Sequence, residues 1–369
     1  MAEPLKNSFG TDVPIRIGDL ITRVHPDFDR GAFLSAALDG FEDLELTGRA
    51  RHISNALAGT LPLDREKAIG ILMASLGPEN LEAELTGMES FLYLPHVFFV
   101  ADHGLECFEA SMRAQYELTK RFTAEFSIRS FLDRYPTETL RRLRQWAEDP
   151  NVHVRRLVSE GTRPRLPWAP RLRRFQEDPG PVLELLELLK DDSEEYVRRS
   201  VANNLNDISK DHPGLVVDVA RRWWGGAGEE RRRLVRHCLR TLVKEGNADA
   251  LAILGFQPGS PARLVEVLCR PGRVEIGERV RIEVTLINPS DEEIGVLVDL
   301  RVHFVKANGS TSPKVFKGAE LRLGPNERAT VRKTLSVAQQ STRAHYPGSH
   351  RIEVMLNGEI FPGADFEIL

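Results

Sequence analysis

The sequence predicts two structural classes in succession, an all-α solenoid of helical repeats followed by an all-β sandwich. Three observations support this prediction. Up to about Gly255, apolar residues recur at spacings of three and four, as on one face of an α-helix. A short pattern recurs within that helical part. After Pro261, apolar and polar residues alternate with a period of two, which is typical of half-buried strands.

The helical part contains a repeat of about 40 residues. Val-Arg-Arg-Leu-Val at 154–158 matches Val-Arg-Arg-Ser-Val at 197–201, and residues 232–235 form a weaker third copy. A second amphipathic stretch precedes each copy, at 139–147, 182–189 and 215–223. Paired helices with this period are typical of HEAT-like repeats, which stack into a solenoid with a concave binding face. We predict that this domain spans residues 1–257.

The rest of the chain is predicted to form short strands separated by turns. Alternating segments occupy residues 280–286, 296–305, 328–335 and 350–356. Turn dipeptides such as Asn357-Gly358 separate them. About seven strands in this length favour an antiparallel immunoglobulin-like sandwich, although the cysteine pair of antibody domains is missing. We predict that this domain spans residues 262–369.

The composition is that of an ordinary folded protein. Of the 369 residues, 41% are hydrophobic and 28% are charged. The three cysteines are scattered, which disfavours disulfide scaffolds and zinc ribbons and fits a reducing compartment. Residues 1–19 lack the apolar core of a secretion signal, and no apolar run is long enough to span a membrane. We therefore expect a cytoplasmic protein with no membrane partner.

Local charge indicates a polyanionic partner, although the net charge is −4. Residues 129–174 hold twelve arginines, no lysine and five acidic residues. Arginine suits phosphate because its planar guanidinium donates two hydrogen bonds at once. The candidate DNA-contacting residues are Arg155, Arg156, Arg163, Arg165, Arg198, Arg199, Arg233 and His237. The alternative is a solvated face in which arginines pair locally with acids, for instance Glu160 with Arg156 or Arg163.

Residues 163–171 form the most unusual local segment, because three prolines stiffen it and arginines flank it. We call this segment the Trp168 loop. Trp168 either caps the core or contacts a sugar or a cationic base through its π-face. The residues alone leave both interpretations open.

Several segments resemble the AlkC branch of the AlkC/AlkD alkylation-repair DNA glycosylases. They are Pro-Leu-Lys-Asn-Ser-Phe-Gly at 4–10, Pro-Asp-Phe-Asp-Arg at 26–30, residues 33–39, Arg-His-Ile at 51–53, and Ser-Glu-Gly-Thr-Arg-Pro-Arg-Leu-Pro-Trp at 159–168. One AlkC subgroup also carries a C-terminal immunoglobulin-like domain, so the resemblance covers nearly the whole chain. It implies a HEAT-like fold that binds duplex DNA containing alkylated bases. It also implies excision of bases such as 3-methyladenine and 3-methylcytosine without base flipping, in contrast to the usual extrusion.

The resemblance implies four catalytic candidates. Glu160 and Trp168 lie in the matching segment 159–168, Asp207 follows a matching Asn-rich stretch, and Glu125 is the fourth. Departure of a cationic base leaves oxocarbenium character on the deoxyribose. Carboxylates would stabilise that charge and orient or deprotonate an attacking water, which explains acids in a groove for anionic DNA. We see no lysine beside these acids and therefore expect a monofunctional enzyme without Schiff-base chemistry.

Two other functions stay open, a HEAT-repeat scaffold for an acidic partner and a DNA-lesion binder without catalysis. Nucleotide-binding and metalloprotease motifs are absent, so we expect no cofactor and no metal. We expect a monomer without an obligate protein partner. Residues 91–100 are expected to form a buried helix and not a ligand site. Candidate DNA-clamp residues on the sandwich are Lys306, Lys314, Lys317, Arg343, His345 and Arg351.

Overall fold

The computed structural model describes residues 5–82, 89–340 and 343–369. Pro4, the first residue of the opening segment used for the resemblance, lies outside the described residues. Contacts divide the chain into two compact units. One unit holds the chain up to His212 together with Ala227–Cys238, and the other holds Pro213–Gly226 together with Leu239–Leu369.

Helices occupy the described chain as far as Ile253. The α-helices are α1 (Asp12–Val24), α2 (Arg30–Leu38), α3 (Leu46–Thr60), α4 (Arg65–Ala74), α5 (Leu94–His103), α6 (Phe108–Thr119), α7 (Ser127–Arg134), α8 (Pro136–Trp146), α9 (Val152–Gly161), α10 (Arg173–Glu177), α11 (Gly180–Leu189), α12 (Glu195–Ile208), α13 (Pro213–Trp224), α14 (Glu229–Cys238), α15 (Arg240–Lys244) and α16 (Ala248–Ile253). Short 3-10 helices lie at Leu5–Ser8, Phe41–Asp43 and Glu89–Tyr93. Among the described residues, no helix is long and apolar enough to cross a membrane.

The three repeat copies lie in helices α9, α12 and α14 of the first unit. α12 packs against both α9 and α14. Val154 and Leu157 of α9 and Val197 and Val201 of α12 are buried, because the apolar stripe of each helix faces its neighbours. The Asn151 side chain caps α9 by accepting hydrogen bonds from two first-turn N–H groups.

The C-terminal part is an immunoglobulin-like sandwich, as predicted. Its strands are β1 (Arg263–Arg270), β2 (Arg273–Val274), β3 (Arg279–Ile287), β4 (Ile294–Val305), β5 (Thr311–Leu323), β6 (Arg328–Ser336), β7 (Gly348–Leu356) and β8 (Glu359–Ile368). One sheet has the order β1-β3-β6 and the other β2-β8-β7-β4-β5. Val280, Ile282, Val284 and Leu286 alternate into the core between the sheets. The predicted Asn357-Gly358 turn joins β7 to β8, with positive φ at both residues.

The secondary structure changes from helix to strand between Ile253 and Arg263. The division into two compact units does not follow this change of secondary structure. Leu251 and Phe256, at the end of the helical part, pack with Leu297 of β4 and belong to the same unit as the sandwich. The domain bounds 1–257 and 262–369 therefore stay a prediction.

Candidate active site

A cleft of about 390 Å³ lies in the first unit, between the segment before α7, helices α9 and α12, and the Trp168 loop. Three of the four catalytic candidates line it, Glu125, Glu160 and Trp168. Its walls are otherwise mainly apolar and aromatic, formed by Phe91, Phe122, Phe126, Leu166, Pro167 and Tyr196. A mainly apolar cleft with a few convergent charges is the usual form of a small ligand site.

Glu160 is buried at the end of α9, with 6% of its surface exposed. Its Oε1 accepts a hydrogen bond from Arg163 Nη1 at 2.6 Å and lies 3.6 Å from Arg156 Nη2. Its Oε2 accepts a hydrogen bond from Ser200 Oγ at 2.6 Å. Burial alone would raise the pKa of Glu160, but the two arginines and Ser200 outweigh it and lower the pKa. Glu160 is therefore an ionised carboxylate at neutral pH.

Arg163 connects Glu160 to a second buried carboxylate. Its Nε donates to Asp207 Oδ2 at 2.8 Å. Asp207 also accepts a hydrogen bond from Lys210 Nζ at 3.2 Å through its other oxygen. The expectation that no lysine lies beside the acids is therefore wrong. The available signal was the spacing of three residues between Asp207, in the last turn of α12, and Lys210, just beyond the end of the helix, since residues three apart lie on the same side of a helical turn.

Glu125 completes the charged set from the segment before α7. Its Oε2 accepts hydrogen bonds from Arg156 Nη1 at 2.9 Å and from Thr123 Oγ1 at 3.0 Å. The Arg156 guanidinium also lies over the ring of Tyr196, 4.9 Å from its centroid. Arg156 is thus fixed between Glu125 and Glu160.

Acids and arginines therefore alternate through the site. We call this set the charge row, and it consists of Glu125, Arg156, Glu160, Arg163 and Asp207. The local pairing of Glu160 with both Arg156 and Arg163 is present, as the alternative interpretation expected. Because every arginine of the row lies between two acids, the row orients its carboxylates as well as neutralising them.

Trp168 does not cap the core, because 64% of its surface is exposed. Its φ of 63° lies in the left-handed region, which a bulky residue rarely adopts. Leu166 is buried two residues earlier, and Leu172 N–H donates to Pro164 O at 3.1 Å across the base of the loop. The buried Leu166 and the Leu172–Pro164 hydrogen bond therefore hold the loop on both sides of Trp168, and the indole is exposed at the cleft.

Six of the eight candidate DNA-contacting residues are ion-paired with acids: Arg155 with Asp192, Arg156 with Glu125, Arg163 with Glu160 and Asp207, Arg165 with Asp211, Arg198 with Glu230, and Arg233 with Glu229 and Glu230. A second cleft of about 180 Å³ on α12 and α14 is lined by four of the eight, Arg198, Arg199, Arg233 and His237. Which of the eight contact DNA stays a prediction.

The candidate clamp residues differ in their surroundings. Lys306 and Arg351 are exposed, and Lys317 pairs with Glu320. Lys314 and Arg343 lie over the ring of Phe316. His345 is only 2% exposed and is therefore not available at the surface. A DNA clamp formed by the others stays a prediction.

Two neighbours of the charge row were not predicted from the sequence. Ser200 occupies the variable position of the second repeat copy, and its hydroxyl oxygen also accepts a hydrogen bond from Ser159 Oγ at 2.7 Å. Phe91 was expected in a buried helix but lies in the 3-10 helix Glu89–Tyr93 and lines the cleft. Residues 94–103 do form a buried helix, α5. Among the described residues, no group of three His, Cys, Asp or Glu side chains could hold a metal ion.

The hydrogen bond from Ser200 predicts a pH effect. Ser200→Ala removes a donor that favours ionised Glu160, so the pKa of Glu160 rises. As the pH falls, Glu160 is then protonated at a higher pH than in the wild type, and the acidic limb of the pH–rate profile for a reaction that uses this carboxylate shifts to higher pH. Single-turnover rates across the acidic range measure this shift. Ser209→Ala is the control, since the Ser209 hydroxyl donates to Asn206 O and not to Glu160. An acidic limb at the same pH in the wild type and in both variants would contradict the prediction.

Two family models match the chain. Residues 120–245 match the model described as a DNA alkylation repair enzyme, and residues 263–369 match that of the C-terminal Ig-like domain of the uncharacterised protein YhaZ. The charge row lies inside the first match.

Two similar proteins extend the comparison over the full length. The structure of the Pseudomonas fluorescens alkylpurine DNA glycosylase AlkC bound to DNA containing an abasic site analog is 35% identical, with a TM-score of 0.90 and 100% coverage of both chains. The uncharacterised protein YhaZ of Bacillus subtilis (strain 168) is 35% identical over 365 residues, which are 99% of each chain.

Proposed function

Because the chain belongs to the AlkC branch of the AlkC/AlkD DNA alkylation repair family, we propose that it is a DNA glycosylase. The proposed substrates are cationic N-alkylated bases, such as 3-methyladenine and 3-methylcytosine, in duplex DNA. The observation that carries the proposal is the buried, ionised Glu160 in a cleft whose rim presents the exposed Trp168. The proposed place in metabolism is base excision repair, which begins with removal of the damaged base.

The chemistry of the leaving group matches what the cleft offers. An N-alkylated cationic base departs as a neutral molecule, so a general acid contributes little. Positive charge then develops on the deoxyribose, as in glycoside hydrolysis. A fixed carboxylate at that point lowers the barrier electrostatically. Because the pKa of Glu160 is lowered, Glu160 is a weak base, and its proposed main role is to stabilise the sugar cation and orient water.

Trp168 is proposed to pack on the sugar or on the charged base. Its exposed π-face would attract the positive charge of the base before departure and of the sugar afterwards. The rigid loop fixes the indole at the rim without requiring the base to enter a deep pocket. This arrangement fits excision without base flipping.

The activity is tested by incubating the protein with alkylated duplex DNA that carries radiolabelled methyl groups and identifying the released bases. Release of 3-methyladenine or 3-methylcytosine supports the proposal. Binding of the DNA without release would instead support a lesion binder. Neither binding nor release would support a HEAT-repeat scaffold for another partner.

The exposed arginines of the second cleft are proposed to contact DNA phosphates. Arg233→Ala is expected to reduce the magnitude of the slope of log affinity against log salt concentration by about one. Binding through one fewer phosphate contact releases about one fewer counterion. Arg113→Ala is a matched control. Both arginines are exposed, and each lies 3.4 Å from a glutamate on the helical surface. An unchanged slope for Arg233→Ala, measured by titration at several salt concentrations, would contradict the proposed contact.

We propose that the enzyme is monofunctional, although Lys210 lies beside Asp207. No covalent protein–DNA adduct is expected when borohydride is added during the reaction, because no Schiff base forms. Denaturing gels of wild type and Lys210→Ala with labelled DNA measure this. An adduct that appears with the wild type and disappears with Lys210→Ala would show that Lys210 attacks the abasic sugar.

A further inference from the structure

We propose that Arg129 is a positioning residue that holds the Trp168 loop in its active shape. The inference rests on the proposed glycosylase function and extends it to a residue outside the cleft lining. Arg129 is buried on α7, with 4% of its surface exposed. It acts through Trp168 and does not itself touch the reacting groups.

The hydrogen bonds of Arg129 converge on the loop backbone. Its Nη1 donates to Gly161 O at 3.2 Å and to Arg163 O at 2.7 Å, and its Nη2 donates to Pro170 O at 2.5 Å. One guanidinium therefore ties the end of α9 to both sides of the loop. A cation also suits this position because carbonyl groups at a helix C-terminus lack helical partners.

The placement of this charge needs an explanation beyond ordinary ion pairing. Burial lowers the pKa of Arg129 to about 10, which shows how unfavourable the site is for a charge. Its guanidinium donates hydrogen bonds to main-chain carbonyls, and Nε is buried with no hydrogen-bond partner among the residues that the structure describes. Five fixed donors on one planar group can hold several carbonyls in a defined arrangement, which lysine cannot do.

The same helix supports both sides of the cleft. α7 begins two residues after Glu125. Ile128 packs so closely on Gly161 that a Cβ there would lie 2.5 Å from Ile128 Cγ2. Arg129 is the next residue of α7 and donates hydrogen bonds to the backbone of the Trp168 loop. The backbone of Trp168, with its positive φ, is thus fixed relative to the segment that carries Glu125.

A double-mutant cycle tests whether Arg129 acts through Trp168. Arg129→Met is expected to slow single-turnover base release roughly 10- to 100-fold, as small misplacements of catalytic groups do. Combining it with Trp168→Ala is expected to add nothing to the loss caused by Trp168→Ala alone. Arg129→Lys is expected to restore part of the rate. Arg174→Met is the matched control, since Arg174 also donates to a carbonyl of α7, Leu132 O at 3.4 Å, and is expected to keep the wild-type rate.

Tryptophan fluorescence provides a readout that does not depend on activity. The chain has four tryptophans, and subtracting the spectrum of Trp168→Phe isolates the emission of Trp168. Arg129→Met is expected to change the emission and acrylamide quenching of Trp168, whereas Arg174→Met is not. Arg129→Lys replaces Arg129→Met in both measurements if the latter does not fold.

The outcomes separate the two proposals. Multiplicative rate losses in the double mutant, or unchanged Trp168 emission in the Arg129 variants, would overturn the positioning role. A wild type that releases no base would overturn the proposed function, while the fluorescence result would still decide whether Arg129 holds the loop.

Discussion

Glu160→Gln is expected to slow the release of alkylated bases by about 100- to 1000-fold in single-turnover assays, within the range seen for loss of a catalytic acid–base or electrostatic group. The substitution keeps the shape of the side chain and removes its negative charge. The developing sugar cation then faces Arg156 and Arg163 without the carboxylate that lies between them. DNA affinity is expected to be unchanged or higher, because an anionic group has been removed from the groove.

The control for this variant is Glu109→Gln. Glu109 pairs with Arg142 at 2.9 Å on the exposed surface of α6, so the same change of charge is made away from the cleft. Its rate is expected to match the wild type. If Glu160→Gln also retained the wild-type rate, the catalytic role would pass to Glu125 or Asp207, which Glu125→Gln and Asp207→Asn would then distinguish.

Arg163→Met is expected to lower the free energy of unfolding by roughly 3–5 kcal/mol, the usual result of removing one partner from a buried ion pair. Arg163 is the direct partner of two buried carboxylates, at 2.6 Å from Glu160 and 2.8 Å from Asp207. Methionine preserves much of the volume of the aliphatic part of the arginine side chain. The loss of stability therefore measures the cost of leaving the two buried carboxylates without their cation. Denaturant titration measures it.

Arg165→Met is the matched control in the same loop. Arg165 pairs with Asp211, but about a fifth of each side chain is exposed, 21% and 23%. Water compensates part of such a pair, and a loss of at most about 1 kcal/mol is expected. Equal losses for both variants would show that Arg163 does not stabilise the buried carboxylates specifically.

Features set by short-range periodicity were predictable from the sequence. The three-to-four spacing of Val154 and Leu157 located α9 and its buried face, and it placed Arg156 and Glu160 side by side. The alternation of residues 280–286 similarly located β3. These predictions succeeded because a helix or strand fixes which side chains share a face, whatever surrounds it.

Features that depend on distant contacts were not predictable. Arg129 lies 41 residues from Pro170, and no local pattern indicates that its guanidinium meets that carbonyl. The same holds for Ser200 and Glu160, which belong to different helices. The loop sequence left the exposure of Trp168 open, because its prolines restrict the backbone without indicating which side faces solvent. The resemblance to the family identified the acidic residues. Their arrangement in the charge row depends on the packing of α9 against α12, which the sequence does not reveal.

The close contact between Gly161 and Ile128 constrains how relatives of this protein can diverge. Gly161 of α9 lies so close to Ile128 of α7 that a larger residue at 161 would force the isoleucine side chain to shift. The two positions are expected to covary in size: relatives with alanine or serine at 161 should carry a smaller residue at 128. Such pairs would preserve the spacing between the two walls that carry Glu125 and Glu160, and with it the width available to a sugar.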